Sequence, residues 1–273
     1  MKIIIYSHSK QLHQNRAKIF QKGLQKHGLL DVTITTNNKP VPCDIAVMWG
    51  ISHFQKVIMS QKLHKKDTLV WEAGYILDRH KWKGIGYNGL NGRADFCNKN
   101  SPPDRWEQYF SHLLQPWKDD GKYILLTGQV TGDASLQPVN GRVNYQEIVN
   151  EIKKYTKLPI HYRKHPHPKR SSAPCPKGAI PSKGTLEQAL SKAHCVVTFN
   201  SNTSVDAILS GTPCIVLDKG SMAWDVCGHN LNEVNDPPRP DRMQWAYDTA
   251  YTQWTMKEIE SGDAWEHLMK RYM

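Results

Sequence analysis

Apolar and polar positions along this chain follow two rhythms, and the chain switches repeatedly from one to the other. Short apolar runs at 2–8 (KIIIYSH), 31–36 (DVTITT), 44–50 (DIAVMWG) and 68–76 (TLVWEAGYI) read as strands. Between them, 11–27 and 54–65 carry the spacing of amphipathic helices, the first ending near Gly28. The Gly- and Asn-rich stretch 84–96 reads as a loop, and QPWKDDG at 115–121 as an interdomain hinge. The pattern then restarts, with strands at 122–130, 158–165, 194–200 and 213–218. Helices are expected at 145–156, at 185–193 with Thr185 and Gln188 as capping partners, and at 204–210, closed by Gly211. From 241 onward the chain reads as mostly helical, broken near Ser261 and Gly262.

Strand and helix alternating in both halves predict an α/β fold with parallel sheets. Two such runs predict two Rossmann-like domains facing a cleft, 1–116 and 117–240, with 241–273 packing back on them as a helical segment. Ligands of such sheets bind beyond the carboxyl ends of the strands, so residues that follow a strand are the candidates for chemistry.

Composition narrows the class. No apolar run approaches the ~18 residues that would span a bilayer, and the first run is too short for a secretory signal. A cytoplasmic protein without membrane insertion is expected. The six cysteines are scattered with no CxxC pair, which points to reduced thiols and no structural zinc. Charge is uneven. Residues 1–116 hold 17 Lys+Arg against 8 Asp+Glu, whereas 117–273 hold 19 against 17. Between Glu151 and Glu187 there are nine Lys or Arg and no acid. Such fields attract polyanions and phosphate-bearing ligands.

The clearest local signal is TFNSNTSVDAILSGTPCIVLD at 198–218. A buried strand ends at Asn200, a small polar turn follows (Ser201, Asn202, Thr203), and a helix starts at once. Hydroxyls beside free helix N–H groups can hold an anion such as a diphosphate, or can simply cap the helix. In RKHPHP at 163–168, Lys164 and His165 end the preceding strand and can donate to phosphate oxygens. Glu72 lies in an apolar strand, where a carboxylate is either paired or faces the strand's open end as a candidate base. Asp95, in IGYNGLNGRADF at 85–96, is its rival. Trp245, Tyr247, Tyr251 and Trp254 fall at helical spacings and read as core.

These segments carry a resemblance. K-H-P at 164–166 with S-N-T-S-V-D-A-I-L-S-G-T-P at 201–213 resembles the donor half of capsular-polysaccharide and Kdo-type glycosyltransferases of the two-Rossmann GT-B type, and W-E-A-G-Y-I at 71–76 resembles their E-x-G-Y-I element. Here Leu77 follows Ile76, and the arginine comes later, at Arg79. G-Y-N-G-L-N-G-R-A-D-F at 86–96 with L-D-K-G-S-M-A-W at 217–224 is more similar to small bacteriophage glycosyltransferases, some of which modify hydroxymethylated pyrimidines in DNA.

The resemblance implies transfer of a sugar from a nucleotide-sugar, a UDP-sugar first among the options, with no D-x-D metal motif and no required cofactor. Lys164, His165, Ser201, Asn202 and Thr203 would hold the donor phosphates, Asp206 a ribose or sugar hydroxyl, and Gly220 and Ser221 would lie close by. Glu72 or Asp95 would deprotonate the acceptor. The basic first half favours DNA as the acceptor, touched by Lys81, Lys83, Asn88, Asn91 and Arg93. A polysaccharide or lipopolysaccharide precursor is the alternative acceptor, and a non-catalytic nucleic-acid-binding protein is the third reading.

Overall fold

The computed structural model describes residues 1–167 and 170–272; Pro168, the last residue of the RKHPHP motif, lies outside the described residues. The chain forms two compact units, 1–102 with 248–273, and 103–247. The segment 103–116, expected with the first half, belongs to the second unit, and the chain from Asp248 onward belongs to the first.

In the first unit, described residues form a six-stranded sheet of order β11-β5-β4-β3-β1-β2. Strands β1 (Ile3–Tyr6), β2 (Val32–Thr35), β3 (Ile45–Trp49) and β4 (Asp67–Ala73) run parallel. β5 (Trp82–Tyr87) and β11 (Gln253–Thr255) close the edge antiparallel. Two expectations change here. Residues 82–87 are a fully buried strand rather than part of a loop, and the C-terminal segment contributes a strand as well as helices. Gly84 and Gly86 suit such a strand for a packing reason. A Cβ on Gly84 would stand 2.6 Å from the Tyr75 ring, and one on Gly86 would stand 2.8 Å from Phe96, so the bare backbone makes room for both aromatics.

One sheet face is covered by α1 (Gln11–Lys26), α8 (Met256–Ser261) and α9 (Asp263–Leu268), which bury Ala17, Phe20, Leu24, Ile259 and Trp265 against Ile3, Ile5, Val47 and Trp71. The other face packs Tyr6, Met48 and Val70 against Phe54 and Val57, the latter on α2 (Gln55–Leu63). Gly262 takes φ +98 and breaks α8 from α9, at the position the sequence indicated.

In the second unit, described residues form a five-stranded parallel sheet of order β10-β9-β6-β7-β8, with α3 (Asp104–Tyr109) leading into it. The strands are β6 (Tyr123–Thr127), β7 (Ile160–Arg163), β8 (Ile180–Pro181), β9 (Ala193–Thr198) and β10 (Cys214–Val216). α4 (Tyr145–Tyr155) buries Tyr145, Ile148, Val149 and Ile152 as a single helical stripe, and the Asn144 side chain caps it by accepting from Glu147 N. α5 (Leu186–Leu190) starts in the Thr185–Gln188 capping box. α6 (Thr203–Leu209) joins β9 to β10, and α7 (Met243–Ala250) carries the chain out of this unit. Trp245 is core, its Nε1 donating to Met222 O at 3.0 Å, and Trp254 lies on β11 rather than on a helix.

Candidate functional site

A parallel sheet has a switch point where successive connections leave in opposite directions, and the crevice above it is the usual ligand site. In the second unit β6 leads to β7 on one side while β9 lies on the other, so the switch point falls between β6 and β9. The residues just beyond these strands form one polar network. Gln129 Nε2 donates to Asn200 Oδ1 at 2.8 Å, and Asn200 N donates back to Gln129 Oε1 at 3.1 Å. Asn200 Nδ2 donates to Asp218 Oδ1 at 2.6 Å and to Ser135 O at 2.9 Å. Asp218, which follows β10, also accepts from Gly220 N at 3.0 Å. Gln129 and Asn200 are 7% and 3% exposed, so this is a built structure and not a wet surface. Below it, Thr127 and Thr198 follow the register pair Leu126 and Val197, and each keeps a buried hydroxyl with no hydrogen-bond partner among the described residues.

The donor residues expected from sequence gather at this same edge. Ser201 Oγ bonds Thr203 Oγ1 at 3.2 Å and accepts from Thr203 N at 3.3 Å, so part of its capacity goes to local capping. Ser204 Oγ bonds Ser221 Oγ at 2.8 Å, which ties the loop after β10, with Gly220, to the start of α6. Asn202 precedes α6 and makes no side-chain cap; Asp206 is half-buried one turn in. β7 ends level with Thr127, since Arg163 is that residue's register partner. Exposed Lys164 and half-buried His165 therefore leave at the same edge, and His165 Nδ1 accepts from His167 N at 3.1 Å. Gln129, Ser135 and Asp218 were not singled out from sequence. Their available signal was position alone, as polar residues soon after an apolar strand.

In the first unit Glu72 is the penultimate residue of β4, half-buried at the carboxyl end. Its Oε1 accepts from the Tyr75 hydroxyl at 2.7 Å and from Asn91 N at 3.4 Å. Burial first, and the adjoining carboxylate second, push the Tyr75 phenol well above its ordinary pKa, so it stays a proton donor. Gln253 Oε1 accepts from both Tyr75 N (2.7 Å) and Ile76 N (3.0 Å), which fixes the turn after β4. Arg79 Nε donates to Gly74 O at 2.8 Å, so the displaced arginine still folds back onto this turn.

The rival base is elsewhere. Asp95 pairs in register with Tyr87, which lies opposite Leu69, near the amino end of β4. Arg271 Nη1 stands 2.5 Å from Asp95 Oδ2, while the other carboxylate oxygen accepts from Cys97 N at 2.9 Å. That geometry makes Asp95 an ion-pair partner at the amino edge of the first sheet.

The expected acceptor-contact residues also separate. Lys83 is 1% exposed, its amine donating to the His80 and Trp82 carbonyls, so it cannot touch an acceptor from the surface. Asn88 is committed to Thr68 and Asp67 at the amino edge. Lys81 and Arg93 are exposed, and Asn91 reaches Glu72 through its backbone.

No known protein family's sequence pattern matches this chain, and no curated protein matches it. Among solved structures it is similar to the KpsC β-Kdo 2,4 transferase of Thermosulfurimonas dismutans, with a TM-score of 0.62 and 13% identity over 93% of this chain and 92% of that one. It is also similar to the KpsC β-Kdo 2,7 transferase of the same organism, with a TM-score of 0.57 and 13% identity over 100% of both chains. At that identity the likeness is one of fold. The chain is α/β with parallel sheets, a fold it shares with these transferases.

Proposed function

We propose that the protein is a glycosyltransferase whose second unit holds a nucleotide-sugar and whose first unit supplies the base. The observation that carries this reading is the buried Gln129–Asn200–Asp218 network above the β6/β9 switch point. Buried polar groups are costly unless satisfied, so a network of this size at a ligand crevice has a function to support. Its shared fold with two Kdo transferases supports the same reaction class.

In the proposed step the acceptor hydroxyl oxygen attacks the anomeric carbon, its proton passes to Glu72, and the bond to the leaving phosphate oxygen breaks. Tyr75 and the turn clamped by Gln253 position the carboxylate. Lys164 and His165 meet the charge developing on the leaving group, with no step requiring a metal. Ser201, Thr203 and Ser221 line the donor side.

A saccharide acceptor is the reading we favour, because both similar structures are named as sugar transferases of the Kdo class. One observation supports hydroxymethylated DNA as the second reading. The first unit holds 19 Lys+Arg against 11 Asp+Glu, a net charge of +8. The test is incubation with a panel of nucleotide-sugars and two acceptor sets, oligosaccharides and hydroxymethylated DNA, read by product mass. A sugar-sized gain on oligosaccharide supports the favoured acceptor and a gain on DNA the second. Donor binding with no gain on either would remove both acceptors.

A further inference from the structure

The first sheet has a switch point of its own, between β1 and β3, and the residues above it are not used in the mechanism proposed above. His8 follows β1, His13 lies in the first turns of α1, and His53 follows β3. Their rings meet: the centroids of His8 and His53 are 4.6 Å apart, and those of His8 and His13 are 4.9 Å apart. Phe54 and Trp49 wall the cluster, at 5.4 Å from His8 and 6.3 Å from His13. None of the three rings makes a hydrogen bond to any described residue.

The surroundings are cationic. The Arg16 guanidinium carbon lies 5.0 Å over the Trp49 ring, and Lys10 precedes α1. The first turn of α1 carries no acidic residue and no side-chain cap. On β5, the Lys83 amine feels the charges of both Arg16 and Asp78. Glu72 on β4 shares the side of Val70, the face that also packs Phe54, and its Oε1 accepts from the Tyr75 hydroxyl. Burial first, and then His13, His53 and Lys10, hold His8 below the ordinary histidine pKa. Burial, Arg16 and Lys10 do the same for His13. The charged neighbours acting on His8 and His13 are histidines, Lys10 and Arg16, a gathering that is unfavourable for the protein alone and becomes favourable when an anion enters. The cationic lining makes an anion the fitting occupant.

We infer that His8, His13 and His53, with Lys10 and Arg16, form a binding site for an anionic group, a phosphate or a carboxylate, carried by the acceptor. The inference rests on the glycosyltransferase reading for the word acceptor; the anion site itself stands on the cluster.

The test is a pH titration of histidine-labelled protein by NMR, without additive, with inorganic phosphate, and with acetate. Saturating anion raises the pKa of His8 and His13 by about one unit, equivalent to tenfold tighter binding by the protonated rings. His161, stacked on Tyr123 in the second unit, is the internal control and stays fixed. In His53→Gln, a substitution at an exposed position, the shift at His8 shrinks. A shift with phosphate alone assigns a phosphate group, and one with acetate alone a carboxylate. Identical titrations in all three conditions, or an equal shift at His161, overturn the site. Nucleotide titration of the same sample reports on the second unit separately. Lost nucleotide binding with the histidine shifts intact would count against the glycosyltransferase and not against the anion site.

Discussion

Gln129 and Asn200 hold each other by two hydrogen bonds, side chain to side chain at 2.8 Å and backbone N–H to side chain at 3.1 Å, across the gap between β6 and β9. Neither residue is on a strand, and both are buried. Asn200→Ala leaves the Gln129 amide and the Asp218 carboxylate short of a partner. The expected loss is about 1–3 kcal/mol of stability, read by urea denaturation. Asn200→Asp sets a second carboxylate against Asp218 and should lose more. A neutral Asn200→Ala would show that the network is not under tension from burial.

Glu72→Gln keeps the size of the side chain and removes the base. Turnover should fall by about 10²–10⁴-fold while nucleotide affinity is unchanged, since the proposed donor residues lie in the second unit. Tyr75→Phe removes the hydrogen bond that orients Glu72 and should lower turnover less, with a displaced pH profile. Asp95→Asn should retain turnover, because Asp95 is held by Arg271 at the far edge of the sheet.

Acid stability should depend on Arg271. Burial raises the Asp67 carboxyl, but hydrogen bonds from Arg271, Asn88 and Tyr272 outweigh it and leave the pKa lowered. A depressed carboxylate pKa adds stability above the unfolded value of about 3.9, and that stability is lost as pH falls through the folded value. In Arg271→Gln the gain in unfolding free energy between pH 3 and pH 6 should therefore be smaller. Parallel denaturation curves for the two proteins across that range would contradict the assignment.

Lys83 separates a structural amine from a surface charge. Burial first, and Arg16 next, lower its pKa, so the charged form is disfavoured in the fold. Its contribution to stability rises with pH until the unfolded lysine value of about 10.4. Lys83→Met should remove that alkaline rise and leave any DNA retardation unaltered. Lys81→Ala and Arg93→Ala, at exposed positions, are the variants expected to weaken retardation if DNA is bound.

Much of the second unit was legible from sequence because its strands are apolar runs with polar ends. The TFNSN junction marked the edge of β9, and Thr185–Gln188 marked the start of α5. Asp95 and Lys83 were misplaced for a common reason. The stretch 84–96, which follows Lys83 and holds Asp95, reads as a loop from its glycines, whereas Gly84 and Gly86 are strand residues shaped by the Tyr75 and Phe96 rings. That packing is a tertiary contact with no periodic signal, and the pairing of β11 with β5 is long-range, so neither leaves a local pattern in the chain. Gln129 and Asp218 escaped for the same reason: each looks like an ordinary loop residue until Asn200 is placed between them.

In the proposed reaction a nucleotide-sugar is held at the Gln129–Asn200 edge and its sugar moves with Glu72 as base. The most direct measurement is a single-turnover transfer assay with the productive donor and acceptor, run on wild-type protein, Glu72→Gln and Asp95→Asn, with nucleotide affinity determined for each. Transfer by wild-type and Asp95→Asn is expected, with equal nucleotide affinity in all three and a rate about 10²–10⁴-fold lower in Glu72→Gln. Transfer by Glu72→Gln at the wild-type rate would contradict the role of Glu72 as base.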